Sequence, residues 1–175
     1  MDRGLIHIYC GDGKGKTTAS IGLAVRAAGR DLKVVFAQFL KSAPTGELKI
    51  LAAIPQVTHL RGDENCTFSF GMDAEQRSKC YASHAAVLNQ SIALCEKGLV
   101  DVLVLDEIIG AYNSGLVDKE RLLYFIKNKP ESVEVVLTGR NPCRELIALG
   151  DYVSEIKNVK HPYDAGIPAR TGIER

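Results

Sequence analysis

The chain has 175 residues, 46% of them hydrophobic and 25% charged, with a formal net charge of +1. That length suits one domain, expected over residues 1–175 with a core of its own. The near-neutral balance, with a pI of about 7.6, excludes recruitment of nucleic acid or anionic lipid by a long-range field.

The chain opens with Met1-Asp2-Arg3-Gly4, which does not read as a secretory leader. The apolar run Leu5 to Tyr9 follows and enters Cys10-Gly11-Asp12-Gly13-Lys14-Gly15-Lys16-Thr17-Thr18, after which a helix is expected from Thr17 to about Ala28, closed by Gly29. Strand, glycine-rich turn and helix together read as a phosphate-binding loop. Its backbone N–H groups and the helix N-terminus would hold phosphate, Lys16 would reach between phosphates, and the Thr17 hydroxyl would face a Mg ion. The loop is a variant: the usual spacing puts glycine at position 10, where this chain has Cys10, and Gly11 comes one place late.

Further strands are expected at Lys33 to Gln38, Val57 to Leu60, Val102 to Leu105, Val133 to Thr138 and Tyr152 to Ile156. Helices fall between them, which predicts an α/β fold with a mostly parallel sheet of about six strands covered on both faces. A short helix begins near Glu47 and stops before Pro55. The polar segment Arg61 to Met72 carries Phe68 and Phe70, which either plug the core from a loop or form a wall for a large planar ligand.

Asp73 and Gln76 have capping-box spacing and start a long helix to about Glu96. Cys80, His84, Val87, Leu88, Ile92 and Cys95 fall on one stripe of it, and a packing stripe is the better reading than a Cys80/His84 metal pair, because no second pair exists elsewhere. Val102-Leu103-Val104-Leu105 ends in Asp106-Glu107, where a carboxylate would hold Mg directly or through water. A helix over Asp118 to Lys127 packs through Leu122, Leu123, Phe125 and Ile126. After the fifth strand, Asn141 is expected as N-cap and Pro142 as first residue of a helix through Leu149, with Arg140 placed to meet an anion. The segment from Lys157 onward is either frayed or, through Lys160, His161, Tyr163, Asp164 and Arg170, a loop folded over a ligand.

No apolar run approaches the ~18 residues of a membrane span. A soluble, cytoplasmic protein is expected, with neither membrane nor nucleic acid as partner. The five cysteines, Cys10, Cys66, Cys80, Cys95 and Cys143, are scattered and contain no C-x-x-C pair. They read as reduced thiols. From the residues alone the chain is a Mg–ATP-binding α/β domain with no evident general base for water, which leaves a small-metabolite kinase or NTPase open.

The ordered set Gly11 to Thr18, Gln38-Phe39-Leu40-Lys41, Gly46-Glu47, Phe68-Ser69-Phe70, Val104-Leu105-Asp106-Glu107, Thr138-Gly139-Arg140 and Lys160-His161-Pro162-Tyr163-Asp164-Ala165-Gly166 resembles the ATP:corrinoid adenosyltransferases of the CobA/BtuR type, from the first strand to the C-terminus. The resemblance implies a P-loop, RecA-like fold. It also implies transfer of the 5'-deoxyadenosyl group of ATP to a Co(I) corrinoid with release of inorganic triphosphate, making adenosylcobalamin or a precursor. A non-catalytic ATP- and corrinoid-binding regulator is the further alternative.

Carried across by motif position, Gly11, Asp12, Gly13, Lys14, Gly15, Lys16, Thr17 and Thr18 hold the phosphates. Thr17 and Glu107 hold Mg2+ or Mn2+, with Asp106 behind them or acting through water. Arg26 and Arg140 reach the phosphate tail and His161 lies near the nucleotide. Asp12 stands where the family often has Asn. Phe68 and Phe70 match an aromatic pair that fills the space beneath the corrin ring and displaces the lower axial ligand of Co(II), the second being Phe where relatives can carry Trp. The resemblance further implies ATP bound in reversed orientation, a homodimer, a flavoprotein reductant and hand-off to adenosylcobalamin-dependent enzymes. Relatives can carry an extra N-terminal segment over the corrinoid site. Here the chain starts at the first strand, so that cover is expected from elsewhere or the site is open.

Overall fold

A computed structural model describes residues 2–41, 45–62, 66 and 71–174. The element order is β1 (Ile6–Cys10), α1 (Lys16–Ala28), β2 (Val34–Gln38), α2 (Gly46–Ala52), β3 (Val57–Arg61), α3 (Ala74–Glu96), β4 (Val102–Asp106), α4 (Ile108–Asn113), α5 (Lys119–Asn128), β5 (Glu134–Thr138), α6 (Arg144–Leu149) and β6 (Tyr152–Glu155), followed by a 3-10 turn at Pro162–Ala165. The strands lie in the order β3-β2-β4-β5-β1-β6, and every pairing is parallel.

The period-two alternation of the strands divides the core. Val34, Phe36, Val102, Val104 and Val136 face Ala24, Ala27 and Ala28 of α1 and Leu51 of α2. Val35, Ala37, Leu103, Leu105, Val135 and Leu137 face the other way, toward α3, α4, α5 and α6. Both faces are therefore covered, which is why β2 and β4 are apolar along almost their whole length. Burial is weakest at β6, an edge strand exposed throughout.

α3 starts as its sequence predicts: Gln76 N–H donates to Asp73 Oδ1 at 2.8 Å and Asp73 N–H donates to Gln76 Oε1 at 3.0 Å. Its stripe from Cys80 to Cys95 is buried. His84 serves the fold through both ring nitrogens: Leu40 N–H donates to Nε2 at 3.3 Å, so Nδ1 carries the proton and donates to Leu116 O at 3.0 Å.

Two expectations are corrected. Cys66 and Cys80 form a disulfide, with Cα atoms 5.2 Å apart, so only Cys10, Cys95 and Cys143 are free thiols. The pairing is invisible in the spacing because it joins a loop to a helix face. The helix expected from Asn141 and Pro142 begins instead at Arg144 with Cys143 as N-cap. Asn141 adopts φ 52°, and its carbonyl, with that of Arg140, accepts from Asn113 Nδ2 at 3.0 Å. The turn is thereby tied to the end of α4, a short helix that no periodicity in the sequence announced.

Candidate active site

The strand ends assemble the site. β5 lies between β1 and β4, so the loop after β1 meets the acids after β4 across the end of β5, where Thr138 sits fully buried. Ligands of open parallel sheets bind at this carboxyl edge.

The variant spacing of the loop has a steric cause. Cys10 is still the last residue of β1, with its side chain buried, so nothing at position 10 calls for glycine. The chain leaving β6 runs directly over the next residues: Ile156 N–H donates to Cys10 O at 2.8 Å, and Gly13 N–H donates to Ile156 O at 2.8 Å. Gly11 has φ +104°, and a Cβ there would strike Ile156 O. One at Gly13 would lie 2.7 Å from the Lys157 carbonyl. Glycine is thus demanded at 11 and 13 by the strand alongside. Asp12 belongs to the same contact: its Oδ1 accepts from Asn158 N–H at 3.0 Å, a bond that holds the exposed carboxyl below its ordinary pKa.

Lys16, the first residue of α1, is buried and its Nζ donates to Gly13 O at 2.8 Å. Burial pushes its pKa down against the pull of Glu107, while Arg140 pushes the same way as burial. The Thr17 hydroxyl donates to Asp106 Oδ1 at 2.9 Å. Thr138 Oγ1 donates to the same oxygen at 2.8 Å and accepts from Glu107 N–H at 2.9 Å. Glu107 is held at φ 60° as N-cap of α4. Burial raises its carboxyl pKa, as does neighbouring Asp106, against Lys41, Lys16 and Arg140.

Asp106 is wholly buried. Its Oδ2 lies 2.8 Å from Lys41 Nζ, at an angle outside hydrogen-bond geometry, so this atom has an ionic neighbour but no hydrogen-bond partner among the described residues. Lys41 Nζ also donates to Thr17 Oγ1 at 3.4 Å and lies 3.7 Å from Glu47 Oε1. Burial would raise the Glu47 carboxyl, but hydrogen bonding around it and the Lys41 ammonium outweigh burial and leave it below its ordinary value.

The loop from Asp12 to Thr18, together with Lys41, Glu47, Glu107 and Arg140, lines one cavity of about 950 Å³. The far wall is the C-terminal segment, including His161, Tyr163, Ile167 and Arg170. That segment joins the loop through Ile156 and Asn158; within it, Tyr163 N–H donates to His161 Nδ1 at 3.2 Å and Arg170 pairs with Glu174 at 2.8 Å. The volume is at the upper end of the ~300–1,000 Å³ of small-molecule sites. Among the described residues no group of three or more His, Cys, Asp or Glu could hold a metal. A Mg ion here would draw most of its ligands from phosphate and water, as Mg commonly does. The Thr17 hydroxyl, the Glu107 carboxylate and the unsatisfied Asp106 Oδ2 are oxygen donors suited to it.

Of the residues singled out in the sequence, Gly11, Asp12, Gly13, Lys14, Gly15, Lys16, Thr17, Thr18, Asp106, Glu107, Arg140 and His161 are brought together, Gly11 at the foot of the loop. Arg26 is not. It is exposed in the last turn of α1, ten residues and roughly 15 Å along the helix from Lys16, where it lines a separate small hollow with Arg30 and Glu134. Phe68 and Phe70 lie outside the described residues. Lys41, Glu47 and Thr138 stood in quoted motifs without a role. Thr138 and Lys41 share a signal of position, at or just beyond the carboxyl end of a strand, whereas Glu47 stands in the first turn of α2.

The family model for ATP:corrinoid adenosyltransferase BtuR/CobO/CobP matches residues 2–175. The corrinoid adenosyltransferase of Escherichia coli (strain K12) is 32% identical over 99% of this chain and 86% of its own length. Corrinoid adenosyltransferase CobA of Salmonella typhimurium is 33% identical over the same shares. Among solved structures, a KaiC-like protein of Pyrococcus horikoshii OT3 aligns with a TM-score of 0.53 at 15% identity, over 89% of this chain and 73% of that one, which concerns the fold alone.

Proposed function

Because the chain belongs to the ATP:corrinoid adenosyltransferase family, its activity is transfer of the adenosyl group of ATP to a corrinoid, and we propose that a Co(I) corrinoid performs it by attack on the ribose C5' of ATP. The cobalt lone pair forms the Co–C bond, the C5'–O bond breaks, and its electron pair leaves with inorganic triphosphate. Co(I) needs no base, so the protein's tasks are to position C5' and to stabilise the leaving group.

Family membership carries this reading, and the cavity supports it, because a phosphate loop closes one end of a space of about 950 Å³. Lys16 exchanges the Gly13 carbonyl for a phosphate oxygen. The loop N–H groups and Arg140 hold the rest of the chain of phosphates, with the nucleotide in reversed orientation. Thr17 and Glu107 would hold Mg2+, or Mn2+ in its place, with Asp106 orienting the Thr17 hydroxyl, and the ion supplies charge neutralisation on the triphosphate. His161 and Tyr163 line the nucleotide side of the cavity. Phe68 and Phe70 act beneath the corrin ring, where loss of the lower axial ligand makes Co(II) easier to reduce.

Cob(I)alamin or cob(I)yrinic acid a,c-diamide is the substrate, a flavoprotein the electron source, and an adenosylcobalamin-dependent enzyme the receiver. The working unit is a homodimer of single-domain chains in the cytoplasm. No helix of the described residues is long and apolar enough to cross a membrane.

The test is product analysis with Mg–ATP and chemically reduced Co(I) corrinoid. Triphosphate and alkylated corrinoid in equal amounts are expected. ADP, pyrophosphate or corrinoid-independent phosphate release would overturn the reading in favour of a kinase or NTPase.

A further inference from the structure

Lys41 occupies a built position. Leu40, just before it, has φ 54°, a conformation that disfavours a branched apolar side chain by about 1–2 kcal/mol. Three contacts hold the turn: Leu40 N–H on the buried His84, Phe39 N–H on Asp106 O at 2.9 Å, and the Arg61 guanidinium on Lys41 O at 2.7 and 3.0 Å. This scaffold delivers the Lys41 ammonium to three oxygens at once: Asp106 Oδ2, Thr17 Oγ1 and Glu47 Oε1.

The Thr17 hydroxyl has spent its proton on Asp106 Oδ1, so it can only accept from Lys41. That uses a lone pair which a divalent cation at Thr17 would need. Asp106 Oδ2, buried and without a hydrogen bond among the described residues, has Lys41 as its countercharge.

We propose that Lys41 is a tethered cation that closes the metal end of the site in the nucleotide-free protein, neutralising Asp106 and Glu47 and blocking Thr17 until a divalent ion arriving with the nucleotide displaces it. The displaced ammonium stays on its short turn within reach of the phosphates. Lys41 is therefore a positioning residue that makes metal binding conditional on nucleotide: the ion alone must compete with a covalently attached cation, whereas the ion bound to triphosphate brings new charge for Lys41 to pair with. This rests on the reading of Thr17 and Asp106 as the metal end of the site.

The test measures Mn2+ binding to the nucleotide-free protein by the loss of the free-ion EPR signal, in wild type, Lys41→Met, Lys41→Arg and Lys41→Met/Thr17→Val. The expected result is at least ten-fold tighter Mn2+ binding in Lys41→Met, wild-type behaviour in Lys41→Arg, and loss of the gain in the double variant. Thermal denaturation gives a second readout: Lys41→Met should melt lower than wild type in EDTA and recover on Mn2+ addition, with wild type unmoved. Equal Mn2+ affinities in wild type and Lys41→Met, a gain that survives in the double variant, or an EDTA melt that Mn2+ does not raise would each overturn the proposal. If Lys41→Met does not fold, Lys41→Gln in the same assays decides. None of these measurements uses corrinoid, so they stand or fall apart from triphosphate release by the wild type.

Discussion

Thr138→Val tests the hinge of the site most directly. The Thr138 hydroxyl donates to Asp106 Oδ1 and accepts from Glu107 N–H, and the side chain is fully buried. Valine keeps the volume and removes both bonds. A hydrogen bond to a charged group contributes about 1.5–3 kcal/mol, and leaving a partly buried N–H unmet costs about 1 kcal/mol or more. A loss near 3 kcal/mol is expected, or roughly 6–12 °C in Tm for a chain of this size. Thr138→Ser keeps the hydroxyl and deletes one methyl group, costing about 1 kcal/mol. The order of stability should be wild type, then Ser, then Val, with Ser above Val where apolar burial alone dictates the opposite. Urea unfolding of the three proteins, with ATP affinity measured alongside, decides it. A valine variant as stable as the serine one would refute the assignment of this hydroxyl as the tie between Asp106 and Glu107.

Lys16→Ala should lower kcat/KM for ATP by 100-fold or more, about 3 kcal/mol for one lost charge-assisted contact; full activity in a triphosphate-release assay would remove Lys16 from the mechanism. Phe68→Ala should leave ATP affinity nearly intact while abolishing the visible band shift of Co(II) corrinoid on binding, and equal loss of both would contradict the wedge role. Burial holds the His84 imidazole below its ordinary pKa of 6.5. As pH falls below the unfolded value, the unfolded chain takes up a proton before the folded one, and stability present above that value is lost on the way down to the folded pKa. Unfolding free energies between about pH 7.5 and 5.5 should fall less steeply in His84→Gln than in wild type, and parallel slopes would refute this. Denatured without reductant, the chain should titrate only the three thiols of Cys10, Cys95 and Cys143, and all five cysteines after reduction. In the native protein Cys143 should react first, because burial pushes the Cys95 thiol up to about 12. Five thiols without reductant would rule the disulfide out.

The strands were legible because each is a short apolar run, and the structure moves their ends by only a residue or so. The phosphate loop and Asp106-Glu107 were legible because both are contiguous motifs. What escaped depends on placement in space rather than on a contiguous motif. The Cys66–Cys80 bond joins a loop to a helix, Thr138 matters only beside Asp106, and Arg26 carries a charge that helix geometry sends to the wrong end. Lys41 could have been suspected from its place just after β2, since the site is built on strand ends. Its pairing with Thr17 could not, because that depends on a positive φ at Leu40, a residue type that does not advertise one.

The contact of Gly11, Asp12 and Gly13 with Ile156, Lys157 and Asn158 also sets the order in which the protein can mature. The phosphate loop is synthesised well before its floor, which is made by residues some 146 positions later. A nascent chain that has completed β1 and α1 carries the signature of a nucleotide site without the strand that shapes it, and such distant pairing closes late. Competence to bind ATP therefore reports that the chain has been made and folded through Asn158, and a ribosome-stalled chain ending before β6 should have none.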